Sequence, residues 1–218
     1  MSLSKLPAIL FCLFVFLSTN ALARIDRNNN TCDIVKGRPL TASYGPWDYT
    51  NPNHKDKLPI VLGAHFTPSV ERLIKGNSAS IAGDIGYTLR AIPNYHRALY
   101  AISKYEMRLR GKLKAGELFK PQEYTAECYF KRALHMNSND GVTHMLYAMH
   151  LAKLNRINEA EREYLFAFKF QPENPEIIYN LGLFYLDTNR IDKAKVMAKK
   201  AKKLGYPLNG LQKKLKGK

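Results

Sequence analysis

The sequence predicts an all-α protein, a solenoid of helix-turn-helix units with an N-terminal extended Pro/aromatic strap and a C-terminal capping helix. Three observations predict it. Two stretches superimpose at a spacing of 34 residues, GVTHMLYAMHLAKLNRINEAEREYLFAFKFQPEN from Gly141 and PEIIYNLGLFYLDTNRIDKAKVMAKKAKKLGYPL from Pro175, and a fixed period of that length marks stacked helical hairpins. Small residues coincide where helices must touch: Ala148 with Gly182, Ala160 with Ala194, Ala167 with Ala201. Larger apolar residues alternate with them, Tyr147 with Leu181 and Leu151 with Tyr185, and Pro172 ends the first of the two stretches.

The chain opens on an expected signal peptide over residues 1–23. Lys5 precedes an apolar run from Ala8 to Leu17, then a polar step, then Ala21-Leu22-Ala23, the small-x-small pattern of a cleavage site. The run is about ten residues, short of the ~20 a helix needs to span a bilayer. Cleavage after Ala23 is expected, leaving an exported, periplasmic or secreted protein of about 195 residues, enough for one continuous core. Two cysteines then remain, Cys32 and Cys128, and an even pair in an oxidising compartment points to a disulfide worth roughly 4 kcal/mol on the chain-entropy model. The alternative is two unrelated thiols, with Cys128 in a helix core.

Residues 24–66 read as the strap. RPLTASYGPWDYTNPNHKDKLPIVLGAH carries Pro39, Pro46, Pro52 and Pro59 and the only Trp, and prolines favour extended chain. Trp47 and Tyr49 are its expected anchors, either covering an exposed core edge or forming a binding surface. Residues 67–92 read as leading helices: Thr67 suits an N-cap, Pro68 the first helical position and Glu71 the positive end of the helix dipole. Val70, Leu73 and Ile74 form an apolar edge that Gly76 ends, and Ser80 to Ala91 reads as a half-repeat helix. Residues 93–140 read as a first repeat, HRALYAISKY and YTAECYFKRALHMN, in which 110–121 is an insertion at the helix–helix turn. The repeats 141–174 and 175–207 follow.

Residues 208–218 read as a basic capping helix or tail, because a solenoid needs a polar outer face. The formal charge is +16. Eleven Lys or Arg against the single Asp192 lie from Arg190 onward, so most of the excess sits at this end. Such a surface is either a solvated cap or a holder of anionic lipid, glycan or an acidic partner. Nucleic acid is excluded by the export signal and by the lack of aromatic platforms within the basic run.

The 34-residue units resemble tetratricopeptide (TPR) repeats. The wider chain resembles a family of exported bacterial TPR proteins through YGPWDYTNP at Tyr44 to Pro52, KLPIVLGAHFTPSVERLIKG at Lys57 to Gly76, GYTLRAIPNYHRALYAI at Gly86 to Ile102, AECYFKRAL at Ala126 to Leu134 and YNLGLFYLD at Tyr179 to Asp187. The resemblance implies a TPR-type fold and an exported location, and carries over no catalytic residue. The first helix of each TPR unit lines the concave face. That register assigns Arg97, Tyr100, Lys104 and Arg108 to the groove from the first unit, Met145, Met149 and Lys153 from the second, and Tyr179, Asn180, Leu183 and Asp187 from the third. A mixed basic, apolar and polar row of this kind suits a protein or peptide segment. Lys104 and Asn180 only partly echo the carboxylate clamp of chaperone-binding TPR domains.

Chemistry is otherwise sparse. The histidines lack metal-ligand spacing, and neither a phosphate loop nor a nucleophile elbow is present, so no metal, cofactor or small-molecule substrate is expected. Asp48, His65, Glu71, Asp84, Arg90, His96 and Arg97 recur near the front, either as a polar pocket or as a satisfied network fixing the strap. The resulting expectation is a noncatalytic, monomeric adaptor of the bacterial envelope. Envelope-surface attachment through the Lys-rich end competes with it, and an enzyme with a front-end pocket is the third reading.

Overall fold

Proline placement sets where the chain first turns helical. The computed structural model describes residues 44–116 and 124–217. The expected signal peptide, the front of the strap with Cys32, residues 117–121 of the insertion and Lys218 lie outside the described residues. Pro52 and Pro59 stand in the first turn of a 3-10 segment, Pro52–Lys57, and of α1, Leu58–His65. A missing N–H costs nothing there, because a helix start leaves those donors unpaired anyway. The expected extended strap of 24–66 is thus helical from Pro52 onward, a correction that comes from two of its prolines opening helices rather than preventing them.

Helix α2, Pro68–Glu71, begins after an extended Thr67, whose hydroxyl makes no capping bond. It stops well before Gly76. Leu73 takes the left-handed region with φ of 58°, and burial of Val70 and Leu73 holds that turn while Ile74, expected on the same apolar edge, stands exposed. Helix α3, Ile81–Ala91, starts where Ser80 Oγ accepts the Gly83 N–H at 3.1 Å. Helix α4, His96–Lys114, runs 19 residues and takes up Arg110 to Lys114 of the expected insertion. Arg110 Nε donates to Glu106 Oε1 at 2.9 Å one turn back, which supports the added turn. The buried Glu106 also accepts the Ala126 N–H at 2.7 Å through its other oxygen, opening α5, Ala126–Met136.

Among the described residues there are ten α-helices and no strand. The remaining helices are α6, Gly141–Lys153; α7, Ile157–Phe170; α8, Pro175–Asp187; α9, Ile191–Lys203; and α10, Gly210–Lys216. Contacts divide the chain into two units, Met1–Arg132 and Ala133–Lys218, the boundary falling inside α5. In the first, α1 packs on α3, α2 on α3 and α4, and α3 on α4, around Val61, Phe66, Val70, Ile85, Leu89, Leu99 and Ile102.

In the second unit, adjacent helices pair as α6 with α7 and α8 with α9, and α10 packs on α8 and α9. The 34-residue period recurs bond for bond. Asp140 accepts the Val142 and Thr143 N–H groups, and Asn174 accepts those of Glu176 and Ile177. At the hairpin turns Asn155 and Asn189 take φ of 61° and 59°, conformations that asparagine tolerates better than most residues. There the Arg156 N–H reaches Leu151 O just as the Arg190 N–H reaches Tyr185 O. Ala148, Ala160, Ala167, Ala194 and Ala201 are fully buried, as the overlay expects, so the helices meet on small side chains.

Gly182 stands where the other hairpin has Ala148. A Cβ there would lie 2.5 Å from Leu211 Cδ2 of α10 and 3.0 Å from Met197 Cβ of α9. Gly182→Ala is therefore expected to destabilise the protein by about 1–2 kcal/mol, read from the urea midpoint, with Ala148→Gly used as the counterpart that creates no overlap.

Candidate binding groove

Residues 44–51 run without regular structure and hydrogen-bond to the corner between α3 and α4. Trp47 N–H donates to Ala91 O at 2.8 Å, and Tyr49 N–H to Asn94 Oδ1 at 2.8 Å. Asn94 Nδ2 in turn donates to Asp48 Oδ1 at 2.6 Å, so one fully buried amide holds the segment from both of its ends. The Trp47 ring meets Tyr44 and His54 edge-on, and the Tyr49 ring meets Tyr95 and His96 at 5.0 Å. Gly45 permits this approach: its φ is 108°, and a Cβ would run into the Ala91 carbonyl. Both expected anchors thus lie against helices of the first unit, and Asn94 is the residue the sequence reading did not single out.

The acid, base and cation groups of the front end are distributed over separate partnerships. His65 Nδ1 lies 2.9 Å from Asp84 Oδ1, and the His65 ring stacks on Tyr87 at 4.0 Å, with the Arg90 guanidinium 5.9 Å from the centre of the same Tyr87 ring. Asp84 Oδ2 accepts the backbone N–H groups of Asn77, Ser78 and Ala79, which fastens the loop before α3. Glu71 pairs with Arg97 through both of its oxygens, and Asp48 with Asn94. Among the described residues, no three His, Cys, Asp or Glu side chains converge as metal ligands would.

The residues expected to line the groove separate into two sets. In the first unit, Arg97 is engaged by Glu71, and Arg108 Nη1 donates to Leu73 O at 2.9 Å, so both ends of that helical row are held by the segment carrying α2. Tyr100 is 41% exposed and lies beneath the Lys104 ammonium, 5.4 Å from its ring centre. In the second unit, Met149, Lys153, Asn180, Leu183 and Asp187 surround one depression of about 380 Å³. Met145 and Tyr179 are buried beside it instead. Met145 Sδ lies 3.5 Å from Asn180 Nδ2, and the Tyr179 ring packs on Tyr206 at 4.5 Å.

The depression has further walls that the register did not assign: Ala152 at the end of α6, Ile157 and Tyr164 on α7, and Phe184 and Thr188 at the end of α8. A TPR register gives the groove to first helices, so a second-helix residue entering between them leaves no mark in the repeat pattern. The floor is apolar, made by Met149, Ile157, Leu183 and Phe184. Polar atoms stand around it. Burial pushes the Tyr164 hydroxyl up from its ordinary value, and the nearby Asp187 carboxylate adds to the shift, so this hydroxyl stays protonated as a donor. Asn180 spends its Nδ2 on Glu176 O at 2.9 Å and on Met145. Among the described residues its Oδ1 has no hydrogen-bond partner, and the exposed Asp187 carboxylate likewise has none. An apolar anchor and a neighbouring donor or cation find complementary groups here.

Elsewhere in this unit, His144 links α6 to α7. Its Nδ1 lies 2.7 Å from Glu163 Oε2 and its Nε2 3.0 Å from Ser138 O, with Phe170 stacked on the ring at 5.5 Å. Arg190 Nη1 donates to Glu161 Oε1 at 2.5 Å and joins the α8–α9 turn to α7. No protein-family model and no curated protein matches this sequence.

Burial pushes the Asp84 carboxyl upward, but the N–H donors of Asn77 and Ala79 and the His65 ring outweigh it and hold the group below the ordinary value of 3.8. A depressed folded-state value means that the stabilisation is complete above the ordinary carboxylate range and is lost as pH falls through the folded value. Asp84→Asn is expected to cost about 2 kcal/mol at neutral pH and to flatten the acid limb of stability below pH about 4, as measured by urea midpoints across that range.

Proposed function

We propose that this protein is an exported, noncatalytic adaptor of the TPR type, which binds a peptide segment of a partner protein in the groove of its second unit. The observation that carries the reading is an apolar floor beside two acceptors, Asn180 Oδ1 and the Asp187 carboxylate, that have no hydrogen-bond partner among the described residues. Asn180 Oδ1 and the Asp187 carboxylate accept, the Tyr164 hydroxyl donates, and Met149 and Leu183 offer adaptable apolar surface between them. The partner chemistry that fits is an apolar side chain next to a Lys or Arg, the first entering the floor and the second facing Asp187. The bond-for-bond 34-residue repeat of the hairpins supports the TPR assignment, and the leader-like first 23 residues support export.

Peptide display against the mature protein is expected to enrich sequences with an apolar residue beside Lys or Arg. Binding of an enriched peptide should weaken at least about tenfold on Met149→Glu or Asp187→Lys. It should persist at high salt on Met149 contacts, with thermal melts unchanged. Enrichment that ignores both substitutions would sink the groove reading.

The same reading includes a bridge between Cys32 and Cys128. Cys128 is fully buried in α5. Mass spectrometry of the unreduced, denatured mature protein is expected to show no thiol that alkylates, and two after reduction. Removing the bridge should lower stability by roughly 4 kcal/mol.

A further inference from the structure

Helix α9 has two opposed faces. Ala194, Ala198 and Ala201 are buried and set its inner side. On the outer side, Val196, Lys199, Lys200 and Lys203 fall at i, i+3, i+4 and i+7, neighbours on one helical surface. Val196, at the N-terminal end of that row, is 59% exposed. A β-branched apolar residue in water gains nothing from helix propensity or packing. The connection from α9 to α10 repeats the pattern, with Leu204 and Leu208 exposed, the latter at 56%.

Among the described residues, few carboxylates face the charge on this surface. Asp192, the single acid from Arg190 onward, is 99% exposed and 3.7 Å from Lys195. Lys200 lies over the Phe168 ring at 4.5 Å. Among the described residues none of Lys199, Lys202, Lys203, Lys213 and Lys214 has a carboxylate partner.

We propose that the outer face of α9, continued by Leu204 and Leu208, docks this protein on an anionic lipid surface. Lysines near such a surface each contribute attraction to the headgroups, and the interleaved apolar side chains reach the boundary with the acyl chains. The apolar groups decide the class of ligand. A polysaccharide or nucleic acid would answer the lysines but leave Val196, Leu204 and Leu208 in water. The tyrosine of this stretch, Tyr206, is already packed on Tyr179 and offers no stacking platform. None of the residues lining the groove belongs to α9 or α10, so lipid docking and peptide binding use different side chains.

The experiment is co-sedimentation of the mature protein with vesicles of phosphatidylglycerol and phosphatidylcholine, and with phosphatidylcholine alone. Binding is expected to the anionic vesicles only and to weaken steeply with salt. Lys199→Gln with Lys203→Gln should reduce affinity on the order of thirtyfold. Val196→Ser, which leaves charge untouched, should reduce it roughly tenfold. Met149→Glu should sediment like the parent, which separates this surface from the groove. The Val196, Lys199 and Lys203 side chains are solvent-facing, and circular dichroism melts of their variants should be unchanged. Absence of binding to anionic vesicles overturns the proposal. So does a Val196→Ser protein that binds like the parent, an outcome that makes the face a general polyanion site.

Discussion

The second unit depends on helices meeting over small side chains. Where Ala148, Ala160, Ala167, Ala194 and Ala201 are buried, the backbones approach closely enough for larger neighbours such as Leu151, Tyr164 and Tyr185 to fill the flanking space. The asparagine turns and side-chain caps then fix how far each helix extends before its partner begins. These are short-range devices, repeated at one spacing, and they produce two hairpins of the same internal geometry.

That regularity also explains where a binding site can lie. Packing consumes the small-residue faces, so Met149, Leu183 and Ile157 are left around a depression that the hairpins do not fill. Gly182 marks the one departure in the small-residue overlay, since α10 presses its Leu211 against that position. In the first unit the corresponding helical row is engaged differently. Glu71 holds Arg97 and the Leu73 carbonyl takes Arg108, and the buried carboxylates of Asp84 and Glu106 each gather donors from neighbouring segments. Buried acids are tolerable here because their oxygens are met by N–H groups.

The sequence shows the repeat clearly because helix contact demands small residues at a fixed period, a demand visible in one dimension. It also shows α3 through Ser80 and α5 through its alternation of Ala126, Phe130 and Ala133. The front end was harder to read. Proline counts suggested extended chain, whereas Pro52 and Pro59 open helices, and Leu73 rather than Gly76 ends α2 because burial there supports a left-handed backbone. Proline and glycine restrict local dihedral angles, but position within an element decides what that restriction means.

By itself, then, the sequence determined the helical class, the 34-residue hairpins, the basic end and five of the residues around the groove, all of them features with a period or a composition. Tertiary structure alone decided that Met145 and Tyr179 turn inward, that Tyr164 and Ile157 enter the groove from a second helix, and that Asn94, Asp84 and Glu106 act as hubs for distant backbone groups. Those outcomes depend on which side chains meet across elements, and a linear pattern records the face of a helix without recording what covers it.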